Sequence, residues 1–228
     1  MVPGVFRAGV IGVADIFQEV DEDLRRDRAT ALWRRYGVYV IGVAVVLVLA
    51  TAAWSGWQYY RTNQRLAAGD RFTQAMLQAN QGQVDEATTG FAAVASDGPA
   101  GYAVMARMQG AVLKVRAGDQ AGAAAIYEGV AADADAPEIY RRAALLLSVM
   151  LQVDTGDPAT LSTRLDPLAA DDSPWRFSAR ELQAVLALRA GDQARARALL
   201  EPLSADATAP QSLRNRAGEM LRALGGGA

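Results

Sequence analysis

The stretch AVLKVRAGDQAGAAAIYEGVAADADAPEIY, Ala111 to Tyr140, holds one full copy of the pattern that decides the fold. An apolar Ala111–Leu113 leads into Gly118–Asp119. Five residues after the glycine stands a small side chain, Ala123; nine and twelve after it stand bulky ones, Tyr127 and Val130; nineteen after it stands Pro137. Each mark has a local cause. Glycine accepts the left-handed conformation that ends a helix, aspartate accepts hydrogen bonds from first-turn N–H groups, and proline suits a helix start because its missing N–H is not needed there. The stretch therefore reads as a helix end, a turn, a complete second helix and the start of a third.

Outward from it the same marks return. Gly82-Gln83, Gly118-Asp119, Gly156-Asp157 and Gly191-Asp192 are separated by 36, 38 and 35 residues, the interval of helix-hairpin repeats. Nine after each glycine come Phe91, Tyr127, Leu165 and Leu200, and three further on Val94, Val130, Leu168 and Leu203. Five after it come Ala87, Ala123, Leu161 and Ala196; Pro99, Pro137, Pro174 and Pro210 follow at seventeen to nineteen. Ahead of the glycines, Ala75–Leu77, Ala111–Leu113, Val149–Leu151 and Ala184–Leu186 repeat as well. The spacing predicts helices over 62–81, 84–96, 99–117, 119–132, 137–154, 158–170, 174–190, 192–204 and 210–223, with all four unit glycines in left-handed turns. One hairpin cannot bury its own apolar stripe, so the hairpins must stack and share a core. Glycine, small residue at plus five, bulky residue at plus nine and proline near plus seventeen resemble the second helix of the tetratricopeptide repeat. The resemblance covers Arg61 to about Leu224; the tryptophan–leucine–glycine–tyrosine set of the usual first helix is missing.

Upstream lies YGVYVIGVAVVLVLATAAWSGW, Tyr36 to Trp57, in a charge-free run that continues to Tyr60. As a helix, its 22 residues span about 33 Å at about 1.5 Å each, against roughly 30 Å of bilayer hydrocarbon. Tyr36 and Tyr39 mark one boundary and Trp54, Trp57, Tyr59 and Tyr60 the other, as interfacial anchors do. Arg25, Arg26, Arg28, Arg34 and Arg35 precede the run closely, while Arg61, Arg65 and Arg71 follow it, which keeps the amino end cytoplasmic. The expected class is all-α: a cytoplasmic segment (1–35), one N-terminal transmembrane helix (36–60) and a periplasmic tetratricopeptide-like α-hairpin solenoid (61–228). A cleaved signal peptide is the rival reading, with Ala50-Thr51-Ala52 as the cleavage motif; the long acidic segment ahead and the aromatic residues beyond count against it.

Composition narrows the function. Among 228 residues there is no Cys and no His, which removes thiol nucleophiles, disulfides, imidazole metal sites and His-based acid–base chemistry. A net charge of -2 offers no basic footprint for nucleic acid. The single lysine, Lys114, has no phosphate-binding glycine loop beside it. Asp171-Asp172 and Asp85-Glu86 fall in turns or first turns, where carboxylates cap helices. No catalytic, metal or cofactor residue is assigned, no small-molecule substrate is expected, and the chain is not read as an enzyme.

Ahead of the run, DIFQEVDEDLRRDRATALWRRYG predicts a short amphipathic helix: Asp15 caps, Gln18 or Glu19 answers, and Phe17, Val20 and Leu24 share a face. It serves either as a charge-paired juxtamembrane stub or as a docking element. In this order of parts, with DIFQEVDEDLRRDRA at the front, the chain resembles the ancillary subunit of the bacterial Sec translocon. The resemblance implies an inner-membrane protein whose periplasmic repeats associate with the translocon and with a membrane-anchored periplasmic chaperone, assisting export and folding. Relatives begin just ahead of the DIF tripeptide, so Met1 to Gly12 is read as an upstream extension and Val13 as the start.

A candidate partner-binding column follows the same phase. Arg71, Arg107 and Arg180 lie eleven residues before a unit glycine and Arg214 eleven before Gly225; forked guanidinium groups there would hold a partner's carboxylates. The competing reading is plain surface charge, since arginine supplies nearly all the positive charge and Leu145 holds the third unit's place. The alternative function is a structural accessory subunit or assembly factor of another envelope complex, recognised through its span, where Gly37, Gly42, Ala44, Ala50, Ala53 and Gly56 permit close helix approach.

Overall fold

The computed structural model describes the backbone of residues 13–225 and the side chains of residues 33–225. The extension reading of Met1 to Gly12 lies outside these described residues, as do the side chains of the Asp15 cap and of the Phe17, Val20 and Leu24 face; the short helix expected from Asp15 is, in its backbone, the amino part of one longer helix. Among them the elements are all helical: α1 (Val13–Asn80), α2 (Val84–Asp97), α3 (Ala100–Arg116), α4 (Gln120–Ala132), α5 (Glu138–Gln152), α6 (Pro158–Ala169), α7 (Arg176–Arg189), α8 (Gln193–Ala205) and α9 (Gln211–Gly225). The chain divides into two compact units, one ending at Arg61 and one starting at Thr62.

In the first unit, α1 carries the apolar run. The segment from Trp33 is long and apolar enough to cross a membrane, with mean hydropathy 2.3 in its most apolar window and only 6% of that window buried. Side chains exposed on it include Val38, Ile41, Val45, Leu47 and Leu49, so the helix is apolar all round with no protein partner to cover it. Within it the Thr51 hydroxyl is satisfied by its own helix, donating to the carbonyls of Leu47 and Val48, both at 2.9 Å. At its two ends arginines lie over aromatic rings, Arg35 at 5.9 Å from the Tyr36 centroid and Arg61 at 5.2 Å from that of Trp57. The first hairpin helix, expected to begin at residue 62, is the carboxyl part of α1 rather than a separate element; no proline stands between Tyr36 and Asn80 to end it.

In the second unit every other helix boundary lies within two residues of the predicted one. The local causes act as expected at most sites. Gly82, Gly118 and Gly191 have φ of 80°, 82° and 77°. Asp119, Asp157 and Asp192 accept from the N–H groups of Gly122 (2.8 Å), Thr160 (2.7 Å) and Arg195 (2.9 Å). Gly156 departs: its φ is not positive. There the N–H groups of Thr155 and Gly156 both donate to the Gln152 carbonyl, at 3.1 and 2.8 Å, and a Cβ on Gly156 would stand 2.8 Å from Leu161 Cδ1. Leu161 is the one large residue in the plus-five column, so glycine is needed for close approach and not for backbone handedness.

The core has a three-helix grammar. Phe91 and Val94 of α2 pack with Ala75 of α1 and with Ala106 and Leu113 of α3. Tyr127 and Val130 of α4 pack with Val104 and Ala111 of α3 and with Ala144 of α5. Leu165 and Leu168 of α6 join Leu146 and Val149 of α5 and Ala179 and Leu186 of α7. Leu200 and Leu203 of α8 join Phe177 and Ala184 of α7 and Leu213 and Ala217 of α9. Each second helix thus sits between its own first helix and the next one. One repeat column grades along the stack: Leu113 and Leu186 are buried and Leu151 half-buried, while their counterpart Leu77 is 56% exposed, since among the described residues no hairpin stands before α1 to cover it.

Truncation of Phe91 or Tyr127 to alanine is expected to cost about 3 to 5 kcal/mol in chemical denaturation of the repeat part, the range for large core aromatics. A loss below about 1 kcal/mol at both positions contradicts the assigned phase.

Candidate protein-interaction surface

Long polar side chains tie neighbouring hairpins together, Arg164 to Glu128 and Arg216 to Glu181 across one whole repeat. Arg164 of α6 donates through Nη1 to Glu128 Oε1 of α4 at 2.8 Å and through Nη2 to Ser148 Oγ of α5 at 3.2 Å. Gln152 Nε2 reaches the same Glu128 oxygen at 2.9 Å. One unit on, the buried Gln183 of α7 donates to Asp166 Oδ1 of α6 at 2.8 Å. Arg216 of α9 makes two bonds to the Glu181 carboxylate of α7, at 2.6 and 2.8 Å. Counting apolar columns alone misses these residues, although Glu128 and Asp166 each stand ten after a unit glycine and Ser148 and Gln183 each eight before one.

The arginine column does not converge on one site. Arg107 on α3 pairs with Asp133 at 2.5 Å, just past the end of α4. Arg180 on α7 pairs with Asp171 at 2.5 Å and donates through Nε to the Ala169 carbonyl at 3.0 Å. Arg214 on α9 donates to the carbonyls of Ala207 (3.1 Å) and Ala209 (2.7 Å). These three clamp turns of the stack, the work that charge-assisted bonds to carbonyls and carboxylates do well. Arg71 on α1 is exposed, with no hydrogen bond or ion pair among the described residues. Leu145, in the third unit's place, packs half-buried against the Leu146–Leu165 core.

A groove opens between α2, α3 and α4, a cavity of about 510 Å³. Phe91 and Ala95 form one wall, Gly110 and Leu113 the floor, and Ile126 and Gly129 the other wall. A Cβ added at Gly110 or Gly129 would meet no atom within 4 Å, so the space is real and the glycines keep it wide. Two cations line it, Arg107 and Lys114. Lys114 Nζ also holds Asp119 at 2.7 Å. Among the described residues no group of three or more His, Cys, Asp or Glu is placed to hold a metal ion.

The stacked hairpins and the repeat phase have a match among known families: the model of the tetratricopeptide repeat-like domain covers residues 30–215. The chain belongs to that family. No curated protein and no solved structure matches it. The match takes in the apolar run together with the hairpins, so in this tetratricopeptide repeat-like chain the two belong to one family pattern. Such repeats generally serve as scaffolds that supply surfaces for other proteins.

Carboxylates in the tetratricopeptide repeat-like stack are held below their ordinary range. Asp119 is lowered by its bond from Lys114 and then by the Gly122 N–H; Asp133 by Arg107; Glu128 by Gln152 and Arg164; Asp157 by Thr160; and Asp206 by Thr208. A lowered folded-state value gives stability that is present above the unfolded range of about 3.9 to 4.3 and is lost as pH falls through the folded values. The thermal midpoint should stay level from about pH 7 to 5 and drop steadily below about pH 4. A midpoint unchanged down to about pH 3 contradicts this.

Proposed function

We propose that this chain is a single-pass protein of the bacterial inner membrane, with residues 1–35 cytoplasmic, residues 36–60 in the bilayer and residues 61–228 a periplasmic scaffold. Its role is to hold partner proteins beside the Sec translocon, including a membrane-anchored periplasmic chaperone, and so to assist export and folding. The observation that carries this reading is the family match extending from residue 30 to residue 215, which couples an uncovered apolar helix to an interaction repeat. The arginine excess ahead of the run supports a cytoplasmic amino end, and the order of parts supports the translocon setting. Tethering confines the repeats near other membrane proteins and raises their effective concentration, so modest contacts suffice. Within the arginine column we assign partner contact to Arg71, whose charge the stack does not use.

Cross-linking from the repeat part in intact membranes tests the proposal. Translocon and chaperone subunits should be captured, and capture should survive replacement of residues 36–60 by an unrelated span. Loss of capture on that replacement favours recognition through the span, and capture of neither subunit contradicts the translocon setting.

A further inference from the structure

We infer that the groove between α2, α3 and α4 is a docking site for an amphipathic helix of a partner protein, apolar along one face and acidic at positions i and i+7; this rests on the scaffold reading above. Comparing the groove with its two sister positions singles it out. Four places in the repeat phase meet between consecutive hairpins: ten after one glycine, then eight before, four before and eight after the next. Between the second and third hairpins these are Glu128, Ser148, Gln152 and Arg164, and hydrogen bonds at 2.8, 2.9 and 3.2 Å join all four. Between the third and fourth they are Asp166, Gln183, Ala187 and Leu199, with Gln183 bonded to Asp166 at 2.8 Å. Between the first and second they are Ala92, Gly110, Lys114 and Ile126, and all four line the open cavity. The Glu128–Arg164–Gln152 tie divides the groove between the second and third hairpins into two openings of about 600 and 470 Å³, whereas the first groove has no such tie across its four places and is one continuous cavity of about 510 Å³.

The lining defines the occupant. Along α3 and its cap the groove runs from Ala106 to Ala117, a rise of about 16 Å, the length of about three helical turns. No strand edge borders it, so an extended segment would bring backbone N–H and C=O groups into an apolar trough without partners, whereas a helix satisfies its own. Both charged residues in the lining are cations, Arg107 and Lys114, seven residues apart on α3, about 10 Å along its axis. Their acidic partners, Asp133 and Asp119, stand outside the lining. Two carboxylates at i and i+7 of a bound helix match that spacing, with apolar residues at i+3 and i+4 facing the floor between Gly110 and Leu113.

The test uses the full chain in nanodiscs and a designed 16-residue helical peptide with Glu at i and i+7 and Leu at i+3 and i+4. Binding of this peptide, at least tenfold tighter than a peptide of the same composition with the face scrambled, is expected. The double variant Ala92→Glu, Ile126→Arg, which rebuilds the sister groove's tie, should lose binding at least tenfold, and Ala92→Glu alone, at an exposed position, should keep the melting midpoint and weaken binding too. Lys114→Glu should weaken binding of the Glu peptide and strengthen that of a Lys-for-Glu peptide. Equal binding of the scrambled peptide, or binding unchanged in all three variants, overturns the site; so does displacement of the bound peptide by a fatty acid at equal concentration, which would mark a lipid pocket. Undiminished capture of translocon subunits by the filled-groove variant in membranes removes the groove while leaving the scaffold reading intact. Absence of capture by the parent chain, with peptide binding retained, does the reverse.

Discussion

The structure depends on one shortage: a hairpin of two short helices has more apolar surface than it can cover alone. Helices α3, α5 and α7 resolve it by facing two ways. Each contributes to the core of its own hairpin and to that of the hairpin before, as Ala106 and Ala111 of α3 or Leu146 and Ala144 of α5 show. Stability is therefore a chain of nearest-neighbour terms with no single centre. The ends show what happens when a neighbour is missing: Leu77 of α1 lies in the phase of the buried Leu113 and Leu186, yet faces solvent.

Apolar burial sets the stacking but fixes register only loosely, since leucine and alanine faces tolerate sliding. Polar ties between hairpins are directional. Arg164 satisfies Glu128 and Ser148 together only in one alignment of α4, α5 and α6, and Arg216 makes its two bonds to Glu181 only when α9 and α7 are in step. The first groove lacks such a tie between its hairpins' facing places, so its alignment rests on the packing of Phe91 and Val94 against Ala106 and Leu113. A surface meant for a partner must leave something unsatisfied, and in this groove that is volume and apolar area.

Much of this was legible in the sequence because burial enforces phase. Phe91, Tyr127, Leu165 and Leu200 recur at one position since any polar residue there would sit inside a three-helix core, and glycine–aspartate pairs mark the turns because each satisfies a specific backbone need. What the sequence did not disclose are features that depend on neighbours. Gly156 looks like its three counterparts, but Leu161 above it, not a left-handed turn, is what requires it. The arginine column has a true spacing, yet a long side chain goes to whichever carbonyl or carboxylate its own turn offers: Arg107 to an aspartate, Arg180 to an aspartate and a carbonyl, and Arg214 to carbonyls alone. The groove is marked by missing tie partners, Ala92 and Ile126 standing where the second unit has Glu128 and Arg164, and Ala92 and Gly110 where the third has Asp166 and Gln183, a signal visible once the polar ties are seen in space.

Two solvents are written into the same chain. From Thr62 onward apolar residues are gathered inside; around Val38 to Leu49 they face outward on all sides, which only a bilayer or a close partner makes favourable. The most direct measurement of a tethered, exported stack is alkaline carbonate extraction of membranes joined to protease digestion of cells with the outer envelope opened. Retention of the chain in the membrane pellet, with digestion of everything beyond about residue 61, is the expected result. Release into the carbonate wash, or a carboxyl part that the protease cannot reach, would contradict it.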